Sequence, residues 1–185
     1  MPIADSMIQV RKARPEDAGQ IVEVHTGTWR HSFRGYVSNA LLDSMVVNEA
    51  GIQWWREVIS DANPNRCVLV TVKEEKIIAF VSGGTDMDRM RGYDSEIKAI
   101  YVQPEAQRSG VGKLLMRAFS EFVISRNARS MIIWTIAEGP TAGFYLALGG
   151  ELLPIRDYLE RGAEKIATAA YAWRDLAKLR KSLDE

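Results

Sequence analysis

The chain has 185 residues, 46% of them hydrophobic and 26% charged, and its 24 basic and 24 acidic side chains cancel. That length suits one domain around one core, and the charge balance argues against a partner held along a nucleic-acid phosphate backbone. No apolar run approaches the ~20 residues of a membrane span, and residues 1–7 lack the basic-then-apolar pattern of a secretory signal, so the cytoplasm is the expected compartment.

Ile8 and Val10 alternate with polar neighbours, which predicts a first, half-buried strand. Pro15 with Glu16 and Asp17 suits the first turn of a helix whose apolar face carries Ala18, Ile21, Val22 and His25, with Gly27 as its expected end. Residues 28–39 are aromatic and basic and read as a loop or short helix. Helices follow over 39–45 and 49–59, the second with Ile52, Trp55 and Ile59 in line, and Asn63-Pro64-Asn65 makes a turn. Two β-branched runs, 67–72 and 76–83, predict an antiparallel hairpin, with 83–92 as a loop after it.

The richest stretch comes next. Glu96 to Val102 has strand composition and Pro104 ends it, then Gln107-Arg108-Ser109-Gly110-Val111-Gly112 opens a helix. Val111, Leu114, Leu115, Ala118, Phe119, Phe122 and Val123 share the face of that helix assigned to the core. A glycine loop at a helix start offers unpaired N–H groups and the positive end of the dipole, a place for a phosphate. A Walker loop is excluded because Lys113-Leu114 follows the glycines, and a dinucleotide fingerprint because a third glycine is missing. Residues 131–137 predict another strand, followed by a short helix carrying Phe144 and Tyr145. The C-terminal third predicts a strand over 151–155, a charged loop through Gly162 and a long strand over 165–173. Residues 1–6 and 176–185 read as loose tails on a single domain spanning 1–185.

The pattern Gln107 to Gly112 after a strand, with Phe144-Tyr145-Leu146-Ala147-Leu148-Gly149-Gly150 downstream, resembles the GNAT superfamily of acetyl-CoA-dependent N-acetyltransferases. Gly150 departs from the phenylalanine usual in that second motif. The resemblance implies an α/β (α+β) fold: a mixed, mostly antiparallel sheet of about seven strands with helices on both faces. It also implies acetyl-CoA as co-substrate, its pantetheine arm along the backbone of Ile100, Tyr101 and Val102. Its pyrophosphate would rest on Gln107, Arg108, Ser109, Gly110, Val111, Gly112 and Lys113. Tyr145 is then the expected general acid for the thiolate, since a phenol of pKa ~10 can protonate it, and Glu96 the expected base. Glu138 stands where many relatives carry an asparagine that contacts the cofactor. Trp29, His31, Phe33, Tyr36 and the 156–161 loop are the candidate acceptor lining, suited to a cationic amine or an apolar amino acid.

His25 reads as a packed core group rather than a base, and Cys67 as buried packing rather than a nucleophile. Two histidines and one cysteine make no usual zinc set, so no metal is expected. Tyr171 and Trp173 suit either a surface for a homodimer or the interior. The leading function is transfer of an acetyl group to the amine of a small molecule or amino acid, by direct attack in a ternary complex. A CoA-binding sensor without turnover, and a protein N-terminal or lysine acetyltransferase, are the alternatives.

Overall fold

The computed structural model describes residues 8–184, so the expectation for residues 1–6 lies outside them. Seven strands among the described residues form one sheet: β1 (Gln9–Lys12), β2 (Arg66–Lys73), β3 (Lys76–Gly84), β4 (Glu96–Val102), β5 (Met131–Ile136), β6 (Glu151–Arg161) and β7 (Glu164–Trp173). Their order is β1-β2-β3-β4-β5-β7-β6, antiparallel throughout except for the β4–β5 pair. Helices α1 (Ala18–Ser32), α2 (Asn39–Ser44) and α3 (Glu49–Ser60) cover one face. Helices α4 (Val111–Ile124), α5 (Ala142–Ala147) and α6 (Leu176–Ser182) cover the other. The mixed sheet and two-sided helix cover expected from the sequence are present.

Four expectations need correction. Helix α1 does not stop at Gly27 but runs to Ser32. A Cβ at Gly27 would meet nothing, so its cost is only the ~1 kcal/mol of glycine in a helix, and burial of Trp29 on the next turn outweighs it. On α4, Leu114 turns outward while Met116 is fully buried. The charged 156–161 segment is not a loop: it continues β6, whose Leu153, Ile155, Asp157 and Leu159 are more buried than the residues between them. An edge strand with one wet face carries charge on alternate residues and so resembles a loop in sequence. Lastly, residues 176–184 are not a loose tail. Leu176, Leu179 and Leu183 are buried against α4, and Arg180–Glu121 (2.5 Å) and Arg117–Asp184 (3.0 Å) pairs flank the contact.

β7 lies between β5 and β6, and its Tyr171 and Trp173 are buried, which removes the edge or patch considered for self-association. The Trp173 indole also accounts for Gly150. A Cβ there would come within 2.9 Å of Trp173 Cζ2, and the indole is fixed by donating to Leu148 O at 2.9 Å.

β4 positions the site. Opposite β3, Ser82 pairs with Ala99 and Gly83 with Ile97, so Lys98 is an extra residue, a bulge that shifts the alternation and turns Ala99 and Tyr101 toward α1. On its other side β4 pairs with β5 only at Glu96 and Ile97 before the two strands part. Gly83 permits the bulge, because a Cβ there would lie 2.2 Å from Glu96 O and 2.9 Å from Phe119 Cζ. Gly83→Ala is expected to destabilise the protein by about 3 kcal/mol, roughly 6–12 °C in Tm, measured by scanning calorimetry. A melting temperature equal to that of the wild type would contradict this account of the bulge.

Candidate active site

A cleft of about 1430 Å³ opens where β4 leaves β5 and reaches from α1 to the start of α4. At one end lies the glycine loop. Gly110 is the N-cap of α4 at φ +87°, and Arg108 also has positive φ at +59°. The first described backbone bond into the helix is Leu114 N to Gly110 O (3.0 Å), and the N–H groups of Arg108 through Lys113 donate to no acceptor among the described residues. A helix N-terminus with undonated N–H groups thus borders the cleft, and nothing lies within 4 Å of a Cβ built at Gly110. Gly112 has another role. Its Cβ would sit 3.1 Å from the Phe144 ring, so the glycine lets α4 and α5 pack.

The loop residues divide accordingly. Gln107, Arg108, Gly110, Gly112 and Lys113 line the cleft, whereas the Val111 side chain is in the core and Ser109 Oγ donates back to Ala106 O at 2.6 Å. Gln107 Nε2 reaches Val102 O at 3.1 Å and ties the loop to β4.

Along β4, Ile100, Tyr101 and Val102 all line the cleft, but not in the same way. Gln103 N donates to Ile78 O, and paired residues alternate in an antiparallel ladder, so the Tyr101 backbone turns to Phe80 in β3 while those of Ile100 and Val102 turn to the gap beside β5. The strand thus corrects the expectation of three backbone contacts. Val102 O is already held by Gln107 and by Thr28 Oγ1 (3.3 Å), and Tyr101 contributes its side chain.

Tyr145 and Glu96 come into the same cleft from opposite faces of the sheet. The Tyr145 ring is 3% exposed, packed against Tyr171 (5.3 Å) and Phe144 (5.4 Å), and α5 is tied to β5 by the Thr135–Thr141 hydroxyl pair at 2.8 Å. Burial pushes its phenol well above the ordinary value, the nearby Tyr101 adding and the Thr141 hydroxyl opposing, so it keeps its proton at working pH. Glu96 is 2% exposed. Burial raises its carboxyl above the usual range, although Lys98 Nζ at 3.8 Å and the Arg89 N–H donating to Oε2 at 3.0 Å favour the charge. A buried phenol that keeps its proton and a carboxylate of raised pKa in one cleft are groups able to give and to take a proton.

At the far end Trp29 and Phe33 line the cleft and are buried, and His31 lines it from an exposed position. Tyr36 does not: it lies in a separate hollow of about 550 Å³ beside Ser38 and Glu164. His25, taken as core, faces the cleft with its ring 4.9 Å from Tyr101, and burial, with the Arg161 charge, lowers its pKa to about 4, leaving it neutral. Cys67 is packed as expected, its thiol raised to about 12 by burial. Glu138 is exposed and outside the cleft, at φ +61°.

Sequence reasoning missed Arg89, Trp134 and Thr168, whereas Arg161, within the 156–161 segment named as acceptor lining, does line the cleft. The Arg89 guanidinium lies 4.4 Å over Trp134, pairs with Asp157 at 3.1 Å, and its carbonyl accepts from Trp134 Nε1 at 3.1 Å, so the loop after β3 is pinned over Glu96. No signal in the local sequence marks these contacts, which join β6 and β5 to a loop more than 40 residues away.

A bulged strand that leaves its parallel neighbour beside a helix start with undonated N–H groups makes room for a long ligand that ends in phosphate. Residues 27–149 match the model of the Acetyltransferase (GNAT) family, and the chain belongs to that family and is an acyltransferase. It is 28% identical over 180 residues to the uncharacterized N-acetyltransferase YuaI of Bacillus subtilis, covering 96% of this chain and 99% of that one. The fold is shared with a GCN5-related N-acetyltransferase of Rhodopseudomonas palustris (TM-score 0.71, 18% identity, 93% of this chain and 98% of that one). It is also shared with the PaiA N-acetyltransferase of Thermoplasma acidophilum in complex with coenzyme A (TM-score 0.67, 15% identity, 88% and 98%). No described helix is long and apolar enough to cross a membrane, and no described group of side chains could hold a metal ion.

Proposed function

We propose that the protein transfers the acetyl group of acetyl-CoA to the primary amine of a small molecule or amino acid, by direct attack in a ternary complex. One observation carries this reading: a single cleft holds free N–H groups at one end, a splayed strand along its length, and Tyr145 and Glu96 between that loop and an aromatic-lined end. The donors of Arg108 through Lys113 fit a pyrophosphate, with the Arg108 and Lys113 side chains adding charge. Acetyl-CoA supplies the acetyl group as a thioester. Ile100 backbone groups facing the gap hold the arm, so that the amine is brought against a fixed carbonyl. Glu96, directly or through water, takes the proton that the amine gives up as its nitrogen bonds to the carbonyl carbon. Tyr145 gives its proton to the sulfur as the C–S bond breaks, leaving amide and free thiol.

The sign of the pH dependence follows from Glu96. Its ionised form is the base, and burial raises its pKa, so kcat/KM rises with pH through a limb lying above the usual carboxylate range. Glu96→Gln is expected to lower kcat by about 10²-fold and to remove that limb, measured by thiol release across pH. A wild-type rate and profile in this variant would move the base elsewhere. The sensor reading keeps cofactor binding without turnover, and thiol release with any amine decides against it.

A further inference from the structure

At the acceptor end of the cleft Arg161 is a cation without an ion-pair partner among the described residues. Arg161, the last residue of β6, faces the cleft with its guanidinium 5.8 Å from the Trp29 ring. Its cross-strand neighbour is Glu164, whose carboxylate makes no ion pair with it and accepts from Ser38 Oγ at the N-cap of α2, keeping its own charge. Among the described residues no carboxylate lies within ion-pair distance of Arg161. The other carboxylates facing this region are engaged: Asp157 by Arg89 (3.1 Å) and Arg91 (3.2 Å), Glu96 by the Arg89 N–H.

Apart from Glu164 across the strand, the named neighbours of Arg161 on the cleft wall are uncharged. His25 is neutral, Tyr101 Oη accepts from Trp29 Nε1 at 2.9 Å and keeps its own proton available, and Phe33 and Leu159 are apolar. Arg161 lines the same cleft as His25 and Tyr101, its guanidinium on the Trp29 side. A second observation points to a polar ligand. Thr168, which pairs across the strands with Asp157, is 3% exposed and lines the cleft, and its Oγ1 has no hydrogen-bond partner among the described residues. A buried hydroxyl left unpaired is costly unless something bound satisfies it.

A polyamine or a cluster of amines needs carboxylates free to meet its charges, and here a lone guanidinium would repel it. A carboxylate is the group a guanidinium grips through two parallel N–H bonds, and an apolar body suits Trp29, Phe33 and Leu159. We infer that the acceptor is an amine that also carries a carboxylate, an amino acid with an apolar side chain, and that Arg161 binds the carboxylate. A protein N-terminus or lysine, flanked by peptide bonds, lacks that group. This inference rests on the transferase reading above and narrows its substrate class.

The test titrates the products of the two kinds of acceptor, N-acetyl-L-phenylalanine and N-acetyl-L-phenylalaninamide, into protein saturated with CoA, by calorimetry. The acid is expected to bind about 10–100-fold tighter than the amide, as a charge-assisted pair predicts. Arg161→Gln should abolish that preference and leave CoA affinity unchanged, which also reports an intact fold. Equal binding of acid and amide, no binding of either, or a preference that survives Arg161→Gln overturns the inference. Failure of the transferase reading shows in a different readout, the absence of thiol release from acetyl-CoA with free L-phenylalanine or any other amine.

Discussion

Tyr145→Phe lowers kcat by about 10²-fold while acetyl-CoA affinity stays within about twofold of the wild type, as expected of a group that acts only as the C–S bond breaks. The substitution removes one oxygen and keeps the ring. Contacts with Phe144, Tyr171 and Trp173 therefore remain, and the melting temperature should move little. The buried phenol holds its proton above the ordinary pKa, so the loss of rate should persist across neutral pH instead of titrating away. Single-turnover thiol release at saturating acetyl-CoA separates this step from binding. A variant that turns over as fast as the wild type would remove Tyr145 from the chemistry and leave it a core aromatic.

The second large effect belongs to the loop. Gly110→Glu is expected to weaken acetyl-CoA binding by about 10²-fold, from two causes. The position has φ +87°, which costs an L residue roughly 1–2 kcal/mol although the space around a Cβ is open. The new carboxylate would also compete for the N–H groups of Arg108 through Lys113 and repel the phosphates meant for them. Gly110→Ala carries only the first cause and should lose about 10-fold, so the pair separates strain from charge. Calorimetric titration of both variants with acetyl-CoA reads the difference. Wild-type affinity in Gly110→Glu would mean that the phosphates bind elsewhere.

The features legible in the sequence were the local ones. The strand ending at Pro104, the glycine loop and the periodic helix after it depend on neighbours within a few residues, and they lie where expected. So does the helix carrying Tyr145. Reading failed where tertiary burial decides. Gly27 signals a helix end, but the burial of Trp29 carries α1 past it. Residues 156–161, expected as lining but as a loop, carry loop-like charge because β6 is an edge strand, and its alternation beside β7 picks out Leu159 and Arg161 as the two that line the cleft. Tyr36 lies in the turn after α1 has ended at Ser32, and it lines a different hollow. Arg89 pinned over Glu96, and Glu164 drawn from Arg161 to Ser38, each join segments far apart in sequence, and no spacing rule reports them.

The central claim is that this cleft moves an acetyl group from acetyl-CoA to an amine, and thiol release from acetyl-CoA against a panel of amino acids, polyamines and peptides tests it most directly. The account predicts acetyl-CoA-dependent release with at least one amine, the acetylated amide accumulating in equal amount. Tight binding of acetyl-CoA with no release on any amine would contradict it and leave a CoA-binding sensor in its place.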